Sequence, residues 1–204
     1  RDRTTSEAQA YALFLSLVAN DREQFERTLK WTEDNLANGD LRYTLPAWHW
    51  GRGEDDRWHV LDDCPASDAD LWMAYALLEA GRLWCEPRFS ILAQQIIAQV
   101  TRHEVAHLPG LGHFVLPGSR GFKLDSTTWR LNPSYLPLPI LRRFEAAKLT
   151  GPWQDIIQTT LRMIREATTR DGFIANWVLY RADTGFVPDE PQRRIGSYAA
   201  IRNY

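Results

Sequence analysis

The sequence is poor in cysteine, in excess positive charge and in long apolar runs, and each shortage removes a class of protein. Two cysteines, Cys64 and Cys85, supply no disulfide framework. One bridge and two separate thiols both stay open, so the compartment does not follow from them. A net charge of −2 leaves no electrostatic footprint for nucleic acid or an anionic membrane surface. No run approaches the roughly 18 apolar residues of a membrane span. No signal peptide is evident, although the opening Arg1-Asp2-Arg3 without Met reads as a processed or trimmed start. With 44% apolar and 25% charged residues, the 204-residue chain has ordinary globular usage and can bury one substantial core.

Aromatic residues are the surplus, with nine Trp and seven Tyr. A Trp-rich core explains some of them. Others sit in polar segments: Trp48, Trp50 and Trp58 in LPAWHWGRGEDDRW, Trp129 in DSTTWRLNPSY, and Trp177 in NWVLYR. Flat aromatic faces beside charged groups suit stacking on sugar rings or bases, and the lack of positive charge disfavours bases.

Helical periodicity dominates, which makes this an all-α chain. Helices are expected near 5–19, 21–37, 67–80, 87–107, 133–149 and 152–168, with a seventh beginning near 196. Asn20 with Glu23 has capping spacing, Ser67 is expected to cap the third helix, and Pro87, Pro133 and Pro152 stand at first-turn positions. No confident run of alternating strands is visible, though residues 173–180 suit an extended segment. Short links alternate with long ones at about 38–66, 108–132 and 169–195. Short links make antiparallel hairpins, so odd helices point one way and even helices the other. The long links and the starts of odd helices then share one end, where a site is expected.

Glu7 lies in the first turn of helix 1, where Thr4-x-x-Glu7 also has capping-box spacing. Asp68 and Asp70 lie in the first turn of helix 3, where the helix dipole alone favours acids. Trp129, Arg130, Asn132 and Tyr135 precede or open helix 5, and Tyr198 and Arg202 belong to helix 7. Taken singly each has a bland explanation, and their convergence at one end favours a functional one.

HEVAHLPGLGH, residues 103–113, fits the zinc-protease spacing H-E-x-x-H-x-x-G-x-x-H. On a continuous helix His103 and His107 would share a face, with Glu104 as base and His113 as third ligand. Three observations oppose a catalytic zinc. No strand precedes the helix to align a peptide, Pro109 stops the helix near His107, and no Met-turn follows. The expected metal and cofactor content is none, and the three histidines read as surface residues of a cleft-side loop.

TTSEAQAY, LPAWHWG, ASDADLWMAYALLEAGRLW, LPGLGHFVLPG, WRLNPSYLP and GSYAAIRNY, in this order from Thr4 to Tyr204, closely resemble glycoside hydrolase family 8. The nearest resemblance is to its branch in bacterial cellulose-synthesis operons. The resemblance implies an (α/α)6 toroid of helical hairpins with an acidic, aromatic-lined cleft. It implies inverting hydrolysis of β-1,4-glucan, cellulose or cello-oligosaccharides, in a periplasmic or secreted setting beside the cellulose synthase machinery. It places Glu7 at the general acid, Asp68 at a sugar contact in the cleavage subsite, and Tyr135 where the attacking water is held. Trp48, Trp50 and Trp129 fall at sugar platforms, and Arg130, Asn132, Tyr198 and Arg202 at substrate contacts.

Two departures stand out. The family pattern S-Y-D-A-I-R carries the general base at its aspartate, and this chain has Ala199 there. Alanine cannot accept a proton, so an impaired enzyme, or a non-catalytic oligosaccharide-binding pseudo-enzyme, is the expectation. Asp189 and Glu190 are the nearest replacement carboxylates. The smaller departure is Ala8, where the family usually has Gly. A six-hairpin toroid also needs about twelve helices against the seven expected here, so residues 1–204 read as one glycoside-hydrolase-type (α/α) domain that is a portion of a longer chain.

Overall fold

The computed structural model describes residues 2–168, 172 and 174–189. They form two compact units, one of Arg1–His103 with Leu149–Gly151, the other of Glu104–Lys148 with Pro152–Tyr204.

The first unit runs β1 (Arg3–Thr5), α1 (Ser6–Val18), α2 (Arg22–Leu36), β2 (Ala47–Arg52), β3 (Trp58–Pro65), α3 (Ser67–Leu83) and α4 (Pro87–His103). Thirteen of the seventeen residues of α3 are buried, so it is the central helix, packed against both α1 and α4. Gly81 permits the close approach to α4: a Cβ there would collide with the Ser90 hydroxyl and lie 2.9 Å from the Ser90 backbone nitrogen. Leu13, Phe25, Leu71, Leu77, Phe89 and Ile96 fill the core between the helices. Burial of such side chains stabilises the unit by about 1.5–3 kcal/mol each.

The second unit contains β4 (Val105–Leu108), β5 (Gly112–Val115), β6 (Thr128–Leu131), α5 (Leu138–Ala146), α6 (Trp153–Ala167), β7 (Val178–Arg181) and β8 (Gly185–Pro188). β4 and β5 make a hairpin, and β6, β7 and β8 make an antiparallel sheet in that order. Phe144 and Trp153 join α5 to α6 edge to face, with ring centroids 5.2 Å apart.

Six of the seven expected helices are present, and the seventh lies outside the described residues. Their details differ from expectation at several places. The α4 helix ends at His103 rather than 107, because residues 105–108 pair with 112–115 across a turn at Pro109-Gly110. Gly110 and Gly112 have φ of +76° and +119° there, a region other residues rarely occupy. The α5 helix starts at Leu138 rather than 133. Asn132 caps a single 3-10 turn over Pro133–Tyr135, and Pro137, which lacks an amide hydrogen and disfavours the α region at Leu136, stands as the N-cap of α5, whose first turn tolerates Pro139. The long links carry most of the strands, including β7 in the segment expected to be extended. Ala66, not Ser67, is the N-cap of α3, and Asp21, not Asn20, caps α2 by accepting from the Gln24 amide at 2.9 Å. Cys64 and Cys85 are not joined in a disulfide.

Candidate functional site

Strand register brings the two principal acids of the first unit to neighbouring positions. β1 and β3 flank β2 and both run antiparallel to it, so they run parallel to each other. Thr5, the last residue of β1, pairs with His49, and Pro65, the last of β3, pairs with Ala47. Each strand then turns straight into a helix. Glu7 lies in the first turn of α1, and Asp68 and Asp70 in that of α3. The dipole of a helix favours negative charge in its first turn.

The capping spacing Thr4-x-x-Glu7 is not used. Thr5 is the N-cap and accepts from the Ala8 amide, while Thr4 Oγ1 accepts from Gln9 Nε2 at 2.9 Å. Glu7 is thereby released from a capping role. It is half-buried, and its Oε2 is buried with no hydrogen-bond partner among the described residues. The Ser6 and Ser67 hydroxyls, next to Glu7 and Asp68, are likewise buried without partners among the described residues. Asp68 is only 1% exposed. Folded proteins satisfy nearly all buried polar atoms internally, so the unpartnered atoms at these two helix starts make them a candidate place for a polar ligand.

The strand between the two acids is aromatic. The Trp48 ring stacks on His49 with centroids 4.6 Å apart. Trp50 is held edge-on by Trp31 at 5.1 Å and stacked on Trp58 at 5.0 Å. Trp58 keeps 49% of its surface exposed and ends this rigid stack. Trp31 was not singled out in the sequence because it lies mid-helix, where only the fold shows its contact.

The second unit gathers a different subset. Arg130 donates from Nε to Asp189 Oδ2 at 2.7 Å, and its guanidinium carbon lies 4.5 Å from the Trp177 ring centroid. Trp177 also meets Tyr135 and Phe122, each with centroids 6.0 Å away. Asn132 is buried, and its side-chain oxygen accepts from the Ser134 amide at 2.9 Å. Trp129 is 4% exposed and packs near Tyr180, so little of its ring is open for stacking. Tyr198, Ala199, Arg202 and Glu190 lie outside the described residues.

HEVAHLPGLGH is the end of a helix followed by a β-hairpin. His103 closes α4, whereas His107 and His113 are cross-strand partners with ring centroids 5.1 Å apart. His103 and His107 therefore do not share a helical face, and what was expected to be a loop is paired strand. His113 contacts Asp155 Oδ2 through both its backbone amide, at 2.8 Å, and its ring Nδ1, at 2.7 Å. That backbone amide is the leading cause holding the Asp155 carboxyl below its ordinary pKa. Among the described residues no group of three or more His, Cys, Asp or Glu is placed to hold a metal, and no helix is long and apolar enough to cross a membrane.

Antiparallel helical hairpins joined by strand-bearing links define the class, an α-helical-hairpin fold. The chain belongs to glycosyl hydrolases family 8, whose family model matches residues 1–204. An endoglucanase of Salmonella typhi is 45% identical over 204 residues, covering 100% of this chain and 54% of that protein. One from Xanthomonas axonopodis pv. citri is 48% identical over 202 residues, covering 99% of this chain and 52% of its own length. The chain thus spans about half the length of the curated relatives it matches. The crystal structure of an endo-1,4-D-glucanase from Vibrio fischeri ES114 superposes with a TM-score of 0.94 at 42% identity, covering 98% of this chain and 57% of that one. The fold class is the expected one, the helical hairpins of the family's toroid, present here in part.

Proposed function

We propose that this chain forms the acid-bearing portion of an inverting endo-β-1,4-glucanase acting on cellulose-type glucan. The observation that carries the reading is the pair of helix starts bearing Glu7 and Asp68, with buried polar atoms at Glu7, Ser6 and Ser67 left without partners among the described residues. The names of the relatives, endoglucanases at 45–48% identity, support the same substrate class. In this reading Glu7 protonates the departing glycosidic oxygen and Asp68 contacts the sugar ring at the cleavage point. Trp48 and Trp50 offer the adjacent aromatic surface, Tyr135 helps hold the attacking water, and Arg130, Tyr198 and Arg202 bind sugar hydroxyls. Trp129 is assigned to packing because of its burial. The setting proposed is periplasmic or secreted, beside a cellulose-synthesising machinery.

Ala199 occupies the place of the general base, so water attack lacks its proton acceptor. That favours a second reading, a non-catalytic cello-oligosaccharide-binding protein. One experiment separates the two. Reducing-end release from carboxymethylcellulose is measured for the unaltered chain and for Ala199→Asp, each embedded in a protein of the relatives' length. The glucanase reading expects a rise of roughly 100- to 10,000-fold. Tight cellopentaose binding with no turnover in either form would leave the binding reading in its place.

A further inference from the structure

The sheet β6-β7-β8 ends in a row in which the family resemblance assigned a substrate contact to Asn132 alone. Leu131 pairs with Val178, and Val178 with Pro188, so Asn132, Trp177 and Asp189 stand one step beyond the last paired residues. Arg130, on the outer strand β6, reaches over Trp177 just before β7 to Asp189 just past β8. Asp189 is buried, whereas the Arg130 side chain is 34% exposed. A guanidinium has five N–H donors in a fixed plane. Here Nε–H is committed to Asp189, and the four terminal N–H groups have no partner among the described residues. A planar cation fixed on an indole face, with a donor fork left over and a tyrosine ring beside the same indole, suits the hydroxyls and flat face of a pyranose.

From this geometry we infer that Asp189 is a positioning residue for oligosaccharide binding: it locks the Arg130 guanidinium on Trp177 so that its terminal N–H groups face a neutral sugar. The inference rests on the glucan-binding reading above. It also gives Asp189 a task other than that of replacement base, because its Oδ2 already accepts from the Arg130 Nε–H. A lysine at position 130 would keep the charge but could neither lie flat on the indole nor hold Asp189 while presenting a fork.

The test is a double-mutant cycle on the full chain, with cellopentaose affinity read by calorimetry and folding by thermal midpoint and far-UV circular dichroism. Asp189→Asn, which preserves shape, is expected to weaken affinity roughly tenfold, as loss of one charge-assisted hydrogen bond implies. Arg130→Lys is expected to weaken it at least as much, and the double variant no further than Arg130→Lys alone, because Asp189 acts only through Arg130. Asp189→Glu should recover part of the loss. Affinity unchanged in Asp189→Asn, additive losses in the double variant, or loss of the helical signal in Asp189→Asn would each overturn the assignment. If the unaltered chain binds no cellopentaose, the glucan reading falls and this inference with it. Binding by the unaltered chain with full affinity in Asp189→Asn removes the inference alone.

Discussion

Replacing Asp155 by Asn tests whether the HEVAHLPGLGH segment is held as a hairpin by hydrogen bonding or by an absent metal. The Asp155 carboxylate accepts both the backbone amide and the ring nitrogen of His113, and Gly112 leaves room for it, since a Cβ there would lie 2.9 Å from Asp155 Oδ1. Two charge-assisted bonds would contribute roughly 1.5–3 kcal/mol each if sheltered. The Asp155 and His113 side chains are 44% and 42% exposed, however, so water screens the pair. A net loss of about 1 kcal/mol is the better magnitude for exposed ion pairs. For a chain of this size that lowers the thermal midpoint by about 2–4 °C. The pH dependence has a definite sign. The folded carboxyl titrates below its ordinary value, chiefly because of the His113 amide and with further help from the ring of His113 and the charge of His107. Its stabilisation is therefore fully present above the unfolded value of about 3.9 and disappears as pH falls through the lower folded value. Thermal unfolding of wild type and Asp155→Asn should show the largest offset near neutral pH and converging midpoints in acid. An offset independent of pH would refute the hydrogen-bond argument, and a wild-type midpoint lowered by chelator would restore the metal.

The remaining predictions concern the acid and the core. In the Ala199→Asp background, Glu7→Gln should remove the recovered turnover by roughly 100- to 10,000-fold. Its cellopentaose affinity should change little, because an amide still fills the site but cannot supply the proton; equal loss of binding and turnover would make Glu7 a binding residue. Gly81→Ala should destabilise the first unit by roughly 1–3 kcal/mol through overpacking, read by urea unfolding. Substituting Ser90→Ala in the same chain should recover only part, since the Ser90 backbone nitrogen lies 2.9 Å from the added methyl.

Much of the helical frame was legible because periodicity and proline placement are local signals: Pro87 opens α4, and α6 begins just after Pro152. The strands were hidden for the opposite reason. β4 and β5 are four residues each and acquire meaning only when His107 faces His113 across the turn, a pairing that a helix-period reading of residues 87–107 obscures. Burial was equally illegible at Trp129, which stands in a polar-looking segment yet faces the packed side of its sheet. The acids illustrate the limit most sharply. Glu7 and Asp68 each had a sufficient local explanation, a capping box or a helix dipole, and 61 positions of sequence separate them. What removes the first explanation is Thr5 taking the cap, and what joins the two residues is the pairing of Thr5 and Pro65 to the same end of β2. Asp189 follows the same logic, since its partner Arg130 lies 59 residues away and only the strand order brings them together. Residue type could nominate these side chains, but long-range register decides which of them are spare for a ligand and which are committed to the fold.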